Sequence, residues 1–233
     1  MLSYIRAFIS LIYPVRCEAC GAMLVEGEKL ICIGCRYKLP RTRYWLQKGN
    51  PVEQVFWGRV PIENACSLFF MGKGSRYRKL LHRLKYNGVK SIGVELGSLL
   101  GTELLQAPLY HDVDFIVPIP LHAKRQRVRG YNQSEMIAKG ISQSFGKPML
   151  ADVIYRQHHN ETQTKKTREE RMKNVENVFA LHPEEAPQLE GKHILLVDDV
   201  LTTGATLEAC IASILRTVSC RVSVATLAAA DKM

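Results

Sequence analysis

Residues 194–206 read ILLVDDVLTTGAT, and no other segment of the chain is as informative about its fold and its chemistry. Four consecutive apolar residues, 194–197, are typical of a strand that is buried on both faces of a parallel sheet. Two acids follow where we expect the strand to leave the sheet, at the edge where open α/β folds bind ligands. A loop with three threonines and a glycine comes next, before a helix expected over 205–215.

The residues after this strand have the chemistry of a sugar-phosphate site. Hydroxyl groups and backbone N–H groups at a helix N-terminus donate hydrogen bonds to a phosphate, and a glycine lets the backbone approach it. The two acids would repel a phosphate that they faced, but they can accept hydrogen bonds from the vicinal hydroxyls of a ribose. We therefore predict a site formed by Asp198, Asp199, Thr202, Thr203, Gly204, Ala205 and Thr206.

Two other interpretations of this loop stay open. A ligand-free turn before a threonine-capped helix would require neither two adjacent acids nor three threonines around a glycine. An aspartate pair that binds a metal ion, as in phosphatases and response regulators, would leave the threonine run unexplained.

A second anion site is predicted in the loop between an apolar strand and the helix expected from Asn132. The Asn132 side chain would cap the N-terminus of that helix. The six residues 124–129 contain four cations. Arginine, lysine and backbone donors suit a pyrophosphate group. We predict Lys124, Arg125 and Arg129 as its ligands, and the alternative is a solvated basic surface.

Apolar runs alternate with helical patterns from residue 65 onward. We expect strands at 65–70, 113–119, 149–155, 193–197 and 221–227, and helices at 76–86, 94–105, 132–145 and 205–215. This alternation predicts an α/β fold with a mainly parallel sheet and right-handed crossovers. The polar segment 156–177 interrupts the pattern, and we expect it to close over a ligand.

Two Cys-x-x-Cys pairs, separated by eleven residues, lie near the N-terminus: Cys17, Cys20, Cys32 and Cys35. Such pairs deliver four thiolates to one tetrahedral Zn²⁺, which leaves no open position and makes the site structural. Disulfides are the alternative, but the total of seven cysteines is odd. We predict a small zinc-knuckle module with an N-terminal helix over 1–60 and an α/β domain over 61–233.

The composition points to anionic partners. Thirty-two Lys and Arg against twenty-two Asp and Glu give a net charge of +10, which attracts phosphates and nucleic acids. The apolar stretch 2–13 is too short to span a bilayer and lacks a cleavage site, so we expect a packed amphipathic helix and no transmembrane segment. A peripheral membrane contact by this stretch is the alternative. The cysteine pairs suit metal binding in a reducing compartment, so we expect a cytoplasmic protein.

The order of these motifs resembles the ComF/GntX family. The loop at 197–206 matches the phosphoribosyl pyrophosphate signature of type I phosphoribosyltransferases, in which two acids and two apolar residues precede Thr-Thr-Gly-x-Thr. The other matching motifs are the four cysteines, the run LLHRLKY at 80–86, VPIPLH at 117–122 and RGYNQS at 129–134. The resemblance implies a type I phosphoribosyltransferase fold with a zinc module, in a bacterial protein linked to DNA uptake.

Three functions are compatible with this resemblance. The first is transfer of the phosphoribosyl group of Mg²⁺-bound phosphoribosyl pyrophosphate to an acceptor that the sequence does not identify. The second is a sensor that binds the same ligand or a related sugar phosphate. The third is an accessory that binds single-stranded DNA or a competence protein. Cations at 36–43 and 73–90 lie among or beside Tyr37, Tyr44, Trp45, Tyr77 and Tyr86, which suits stacking of single-stranded bases; the alternative is that these rings pack on the core.

Overall fold

A four-stranded parallel sheet forms the centre of the computed structural model, which describes residues 14–72, 74–157 and 178–230. The strands are β1 (Ala65–Met71), β2 (Phe115–Pro118), β3 (Ile154–Arg156), β4 (Phe179–Leu181), β5 (His193–Leu201) and β6 (Arg221–Ala230). The sheet has the order β1-β6-β5-β2, and β3 pairs with β4 in a separate antiparallel ribbon. The predicted α/β fold with a mainly parallel sheet is confirmed.

Seven α-helices lie in the described part of the chain. They are α1 (Ile33–Tyr37), α2 (Pro51–Gln54), α3 (Arg76–Tyr86), α4 (Lys90–Leu105), α5 (Ala123–Arg129), α6 (Gln133–Phe145) and α7 (Ala205–Thr217), with 3-10 turns at Tyr44–Leu46, Pro108–Tyr110 and Ala186–Leu189. None of the helices among the described residues has the length and apolar character needed to cross a membrane.

Successive residues of β5 point into two different hydrophobic cores, as the pleat of a strand requires. Leu195 and Val197 pack with the residues of α3, α4 and α6, whereas Ile194 and Leu196 pack with those of α7. Both faces of the sheet are therefore covered. This burial explains why the strand is a continuous apolar run.

Helices α4 and α6 approach each other closely at Gly97 and Gly140. A Cβ atom on Gly97 would lie 2.2 Å from the carbonyl oxygen of Ile137, and one on Gly140 would lie 2.1 Å from that of Val94. Backbone therefore packs directly against backbone at this crossing. The N-terminal end of α6 lies beside β5, where Ser134 donates to Asp198.

The two acids lie inside β5, which corrects the prediction that the strand ends at Val197. The strand continues to Leu201 because β6 continues beside it, with Asp198 opposite Thr226. On the other side the ladder ends where the Ile119 N–H donates to the Val197 carbonyl at 2.9 Å. Prolines cannot extend a ladder, and the chain turns away at 118–120. One edge of β5 is thus unpaired from Asp198 onward.

The strand predicted at 149–155 is split into two pieces. Met149 forms a parallel bridge with Ile116 at the edge of the main sheet, and β3 begins only at Ile154. The segment predicted to close over a ligand lies almost entirely at 158–177, outside the described residues.

The N-terminal segment shares both cores with the rest of the chain. Cys17, Ile31 and Trp45 belong to the core that contains α3, whereas Val52 and Phe56 belong to the core that contains α7. The division into modules at 1–60 and 61–233 stays a prediction. The helix expected at 2–13 lies outside the described residues.

Candidate functional site

A cleft of about 420 Å³ opens at the carboxyl edge of the sheet, beside the unpaired edge of β5. Of the residues predicted for the two anion sites, the following line it: Arg125, Arg129, Asp198, Asp199, Thr202 and Thr206. Lys124 does not line it, which disagrees with its predicted place beside Arg125. The two sites predicted separately from sequence therefore open into one cleft.

The threonine loop encloses a smaller cavity of about 40 Å³ that adjoins Asp198. Its other lining residues include Thr202, Thr203, Gly204, Ala205 and Thr206, the whole predicted phosphate loop. Backbone N–H groups at the start of α7 lie here, so the cavity has the donors that a phosphate group requires.

The structure gives a conformational reason for a glycine at position 204. Its φ of +79° is in the left-handed region, and a Cβ atom there would lie 2.7 Å from Cγ1 of Val55. The glycine therefore allows the loop to turn and to pack against the N-terminal segment. Arg59 of the same segment donates to the Thr203 carbonyl at 3.0 Å, which holds the loop from outside.

Asp198 and Asp199 lie in different electrostatic environments. Asp198 Oδ1 accepts hydrogen bonds from Ser134 Oγ at 2.9 Å and from the Asp199 backbone N–H at 2.8 Å. Burial and the neighbouring Asp199 charge raise the pKa of Asp198 to about 6. Asp199 Oδ1 pairs instead with Lys85 Nζ at 3.0 Å. The Asp199 charge is thus neutralised by a lysine from α3.

Ser134 reaches Asp198 because of the way α6 begins. The Asn132 side chain accepts from the Ser134 N–H at 3.1 Å and donates to the Ile119 carbonyl at 2.9 Å. Asn132 is therefore the predicted helix cap, and it also ties the helix to the end of β2. The sequence alone did not identify Ser134 as a site residue.

The cations of the cleft come from three separate elements. Arg125 and Arg129 lie on α5, a short helix without buried residues, and Arg129 stacks over the Tyr86 ring at 5.1 Å. Arg78 and Lys85 of α3 and Arg156 of β3 were not predicted. Burial and the nearby Arg125 charge lower the pKa of Arg156. An anion placed between these two arginines would relieve their repulsion.

The spacing of residues along α3 could have predicted that the cations Arg78 and Lys85 share one face of the helix. Tyr77, Leu80 and Leu84 lie on one side of the helix, and the same period places Arg78, His82 and Lys85 together on a second face. That second face lines the cleft.

The four predicted zinc ligands are brought together in the structure. The Sγ atoms of Cys17, Cys20, Cys32 and Cys35 all lie within 4.8 Å of one another, and those of Cys20 and Cys32 are 3.7 Å apart. Tetrahedral coordination with Zn–S bonds of about 2.3 Å places sulfur atoms about 3.8 Å apart. The Cys32 N–H also donates to Cys17 Sγ at 3.3 Å. The cluster is compatible with a structural zinc site.

Most of the aromatic side chains predicted to stack on DNA are engaged in the fold. Trp45 and Tyr77 are buried, and Tyr44 packs edge-on against Phe70. Tyr37 and Tyr86 are exposed. For Trp45 and Tyr77 the structure therefore supports the alternative interpretation, in which these rings pack on the core.

Comparison with known proteins identifies the family. A family model described as "Phosphoribosyl transferase domain" matches residues 132–233. Competence protein F of Haemophilus influenzae is 32% identical over 84% of this chain and 88% of its own length. The chain belongs to the ComF family. Competence protein ComFC of Bacillus subtilis is 32% identical, over 79% of this chain and 77% of that protein.

Other relatives match a smaller part of this ComF-family chain. The DNA utilization protein YhgH of Escherichia coli is 33% identical, over 54% of this chain and 56% of that protein. Among solved structures, a glutamine phosphoribosylpyrophosphate amidotransferase from B. subtilis has a TM-score of 0.41 at 17% identity, covering 58% of this chain and 26% of that one. A hypoxanthine phosphoribosyltransferase from Staphylococcus aureus has a TM-score of 0.35 at 16% identity, covering 60% and 64%.

We predict that the protein purified without chelators holds about one Zn²⁺ per chain, because four thiolates form a complete tetrahedral site. Cys17→Ser should lower the zinc content and expose residues 14–40 to protease, since these residues depend on the cluster for their fold. Elemental analysis and limited proteolysis measure both effects. The half-buried Cys220 lies outside the cluster, so Cys220→Ser is the control. Equal zinc in the two variants would contradict the prediction.

Proposed function

We propose that this chain binds phosphoribosyl pyrophosphate, or a closely related sugar phosphate, in the cleft beside β5. The proposal depends on one observation: Asp198 lines the small cavity of the threonine loop, and together with Asp199 and a group of arginines it also lines the larger cleft. Its volume of about 420 Å³ is in the usual range for small-molecule sites.

Each part of the ligand has a matching part of the cleft. The 5′-phosphate fits the threonine loop, where backbone N–H groups and hydroxyls converge. The ribose hydroxyls donate to Asp198 and Asp199. The pyrophosphate lies toward Arg125, Arg129 and Arg156, which together supply the positive charge that it needs.

Magnesium fits the same arrangement as part of the substrate. Mg²⁺ binds through phosphate oxygens and one or two carboxylates, and it keeps several of its waters. Two carboxylates lie at the centre of the cleft, so the residues present are suitable for a pyrophosphate that carries the ion. Zinc has a separate place in the proposal, because the four-cysteine cluster supplies thiolates and no open position.

The proposed reaction is transfer of the phosphoribosyl group to an acceptor. The bond between C1 and the pyrophosphate oxygen breaks, pyrophosphate leaves with the electron pair, and the acceptor nucleophile forms the new bond to C1 and loses its proton. The arginines would stabilise the leaving charge. The test is to follow the exchange of labelled pyrophosphate into phosphoribosyl pyrophosphate in the presence of a panel of acceptors. An enzyme would incorporate the label, whereas a sensor would bind the ligand without any exchange. We assign the protein to the cytoplasm, where its seven unpaired cysteines would stay reduced.

Ligand binding should depend on both acids. Saturating Mg²⁺ and phosphoribosyl pyrophosphate, at 100 times Kd, should stabilise the wild type by about 2.7 kcal/mol. The double variant Asp198→Asn with Asp199→Asn should lose this stabilisation, because neutral amides hold the ribose hydroxyls less strongly. Calorimetric unfolding with and without ligand is the measurement. Asp152→Asn removes an exposed carboxylate elsewhere and is the matched control. Equal stabilisation of the double variant would disprove the assignment of the acids.

Binding should also weaken as the pH falls through 6, where Asp198 takes up a proton. A carboxylate with a pKa of about 6 is about one-tenth ionised at pH 5, so affinity should drop about tenfold from pH 7.5. The Ser134 hydrogen bond favours the ionised form of Asp198, and Ser134→Ala should therefore move the midpoint to higher pH. The ligand's own phosphates titrate in the same way with the wild type and with Ser134→Ala, so they do not contribute to the difference between the two midpoints. Identical midpoints by calorimetry would contradict this prediction.

A second candidate function is supported by relatives that are named for competence and DNA utilization. Tyr37 is 84% exposed and lies between Arg36 and Lys38, an arrangement that suits stacking of a single-stranded base beside a phosphate. Helix α5 adds cations without buried residues. As an accessory, the chain would bind single-stranded DNA weakly and without sequence preference.

Single-stranded DNA should bind at low salt and dissociate steeply as salt rises, because release of counterions dominates such contacts. Arg36→Gln combined with Tyr37→Ala should weaken binding several-fold, whereas Thr203→Ala in the phosphate loop should leave it unchanged. Fluorescence anisotropy with a labelled oligonucleotide measures both. Arg41 is a poorer choice because it pairs with Glu103 at 3.1 Å. Absence of binding at low salt would remove this candidate.

A further inference from the structure

Helix α3 has two faces that contact different parts of the molecule. Tyr77, Leu80 and Leu84 are buried on one side. Arg83 is half-buried and contacts Glu18 of the N-terminal segment. Arg78, His82 and Lys85 lie on the other side and line the cleft. The helix therefore stands between the cysteine cluster and the proposed ligand site.

The first face is attached to the cysteine cluster by polar contacts. Tyr77 Oη donates to the Cys35 carbonyl oxygen at 2.9 Å. Arg83 Nη1 lies 2.7 Å from Glu18 Oε2, and Glu18 stands between the ligand positions Cys17 and Cys20. The side chains of this pair are 35% and 16% exposed, so solvent screens their charges only in part.

On the second face, Lys85 forms an ion pair with Asp199, with 3.0 Å between Lys85 Nζ and Asp199 Oδ1. The Lys85 side chain is 25% exposed and that of Asp199 is 14% exposed. A lysine has four rotatable bonds, so its position depends on how the helix is oriented. A rotation of α3 about its axis would withdraw Lys85 from the carboxylate.

We propose that Arg83 is a positioning residue for the ligand cleft: its ion pair with Glu18 fixes the orientation of α3 and thereby holds Lys85 against Asp199. The expected effect of Arg83 on ligand binding rests on the proposed function. The contact between Lys85 and Asp199 does not require a ligand, and it can be tested without one.

The ligand-free test measures the reactivity of Lys85 toward an amine-reactive reagent, with each lysine quantified by mass spectrometry. Arg83→Met removes the charge but keeps a long, unbranched side chain at this position. Lys85 should then be labelled several-fold faster than in the wild type, because its ion pair no longer protects it. Glu18→Gln should have the same effect, and Arg83→Lys should restore much of the protection.

Lys79→Met is the matched control, because Lys79 is an exposed cation on the same helix and does not line the cleft. It should leave Lys85 protected. Zinc content and circular dichroism establish whether each variant keeps its fold. Equal labelling of Lys85 in folded Arg83→Met and wild type would overturn the proposal. If Arg83→Met does not fold, the milder Glu18→Gln decides the same question.

Ligand affinity gives a second readout that a purely structural role would not reproduce. Arg83→Met should weaken binding of Mg²⁺ and phosphoribosyl pyrophosphate about tenfold, because small displacements of a positioned group are costly. In a Lys85→Met background, the Arg83 substitution should have no further effect. General destabilisation would weaken both backgrounds, and that result would contradict the proposal.

Different results would contradict the proposed function and the positioning role of Arg83. If the wild type does not bind phosphoribosyl pyrophosphate, the proposed function fails, whereas faster labelling of Lys85 in Arg83→Met would still support the positioning role. If the wild type binds the ligand and Arg83→Met binds it equally well, the positioning role fails and the proposed function stands.

Discussion

The unequal ladder on the two sides of β5 is the constraint on which the rest of the site depends. On one side β6 continues hydrogen bonding as far as Leu201. On the other side β2 stops at Pro118, because the prolines and the turn toward α5 end the pairing. Asp198 and Asp199 are therefore held rigidly by one neighbour while they border open space on the other side. A cleft forms there without any break in the sheet.

This geometry also explains how two acids can stand beside a phosphate loop. Burial and the adjacent charge raise the pKa of Asp198 to about 6, and Lys85 pairs with Asp199. At neutral pH Asp198 is mostly ionised, so the pair keeps about one carboxylate charge that Lys85 does not balance. Arginines from α5 and β3 add positive charge across the cleft. The balance favours an anionic ligand whose hydroxyl groups face the carboxylates.

The N-terminal segment contributes directly to this arrangement. Arg59 and Val55 contact the phosphate loop from outside, and Glu18 pairs with Arg83 of α3. Both hydrophobic cores also include residues from before position 60. The cysteine cluster stabilises a segment against which the cleft is built, so loss of its fold should affect more than the segment itself.

The amino-acid sequence determined the features that depend on local patterns. The apolar run before Asp198, the threonines after it and the spacing of the four cysteines predicted a parallel sheet, a phosphate loop and a metal cluster. Each of these signals lies within about twenty residues, where the chain's own periodicity and stereochemistry decide the structure. The cysteine cluster formed as predicted, and the core helices begin within a few residues of their predicted starts.

Only the tertiary structure decided which distant side chains meet at the cleft. Lys85, Ser134 and Arg156 lie far apart in sequence and join the acids because helix packing and strand order bring them there. The same packing places Arg125 in the lining of the cleft, whereas its neighbour Lys124 does not line it. The length of β5 was likewise set by its partner strand, since backbone groups pair wherever a neighbour offers a ladder. A local sequence pattern shows which chemical groups are present. Which side chains these groups meet depends on long-range contacts that the pattern does not encode.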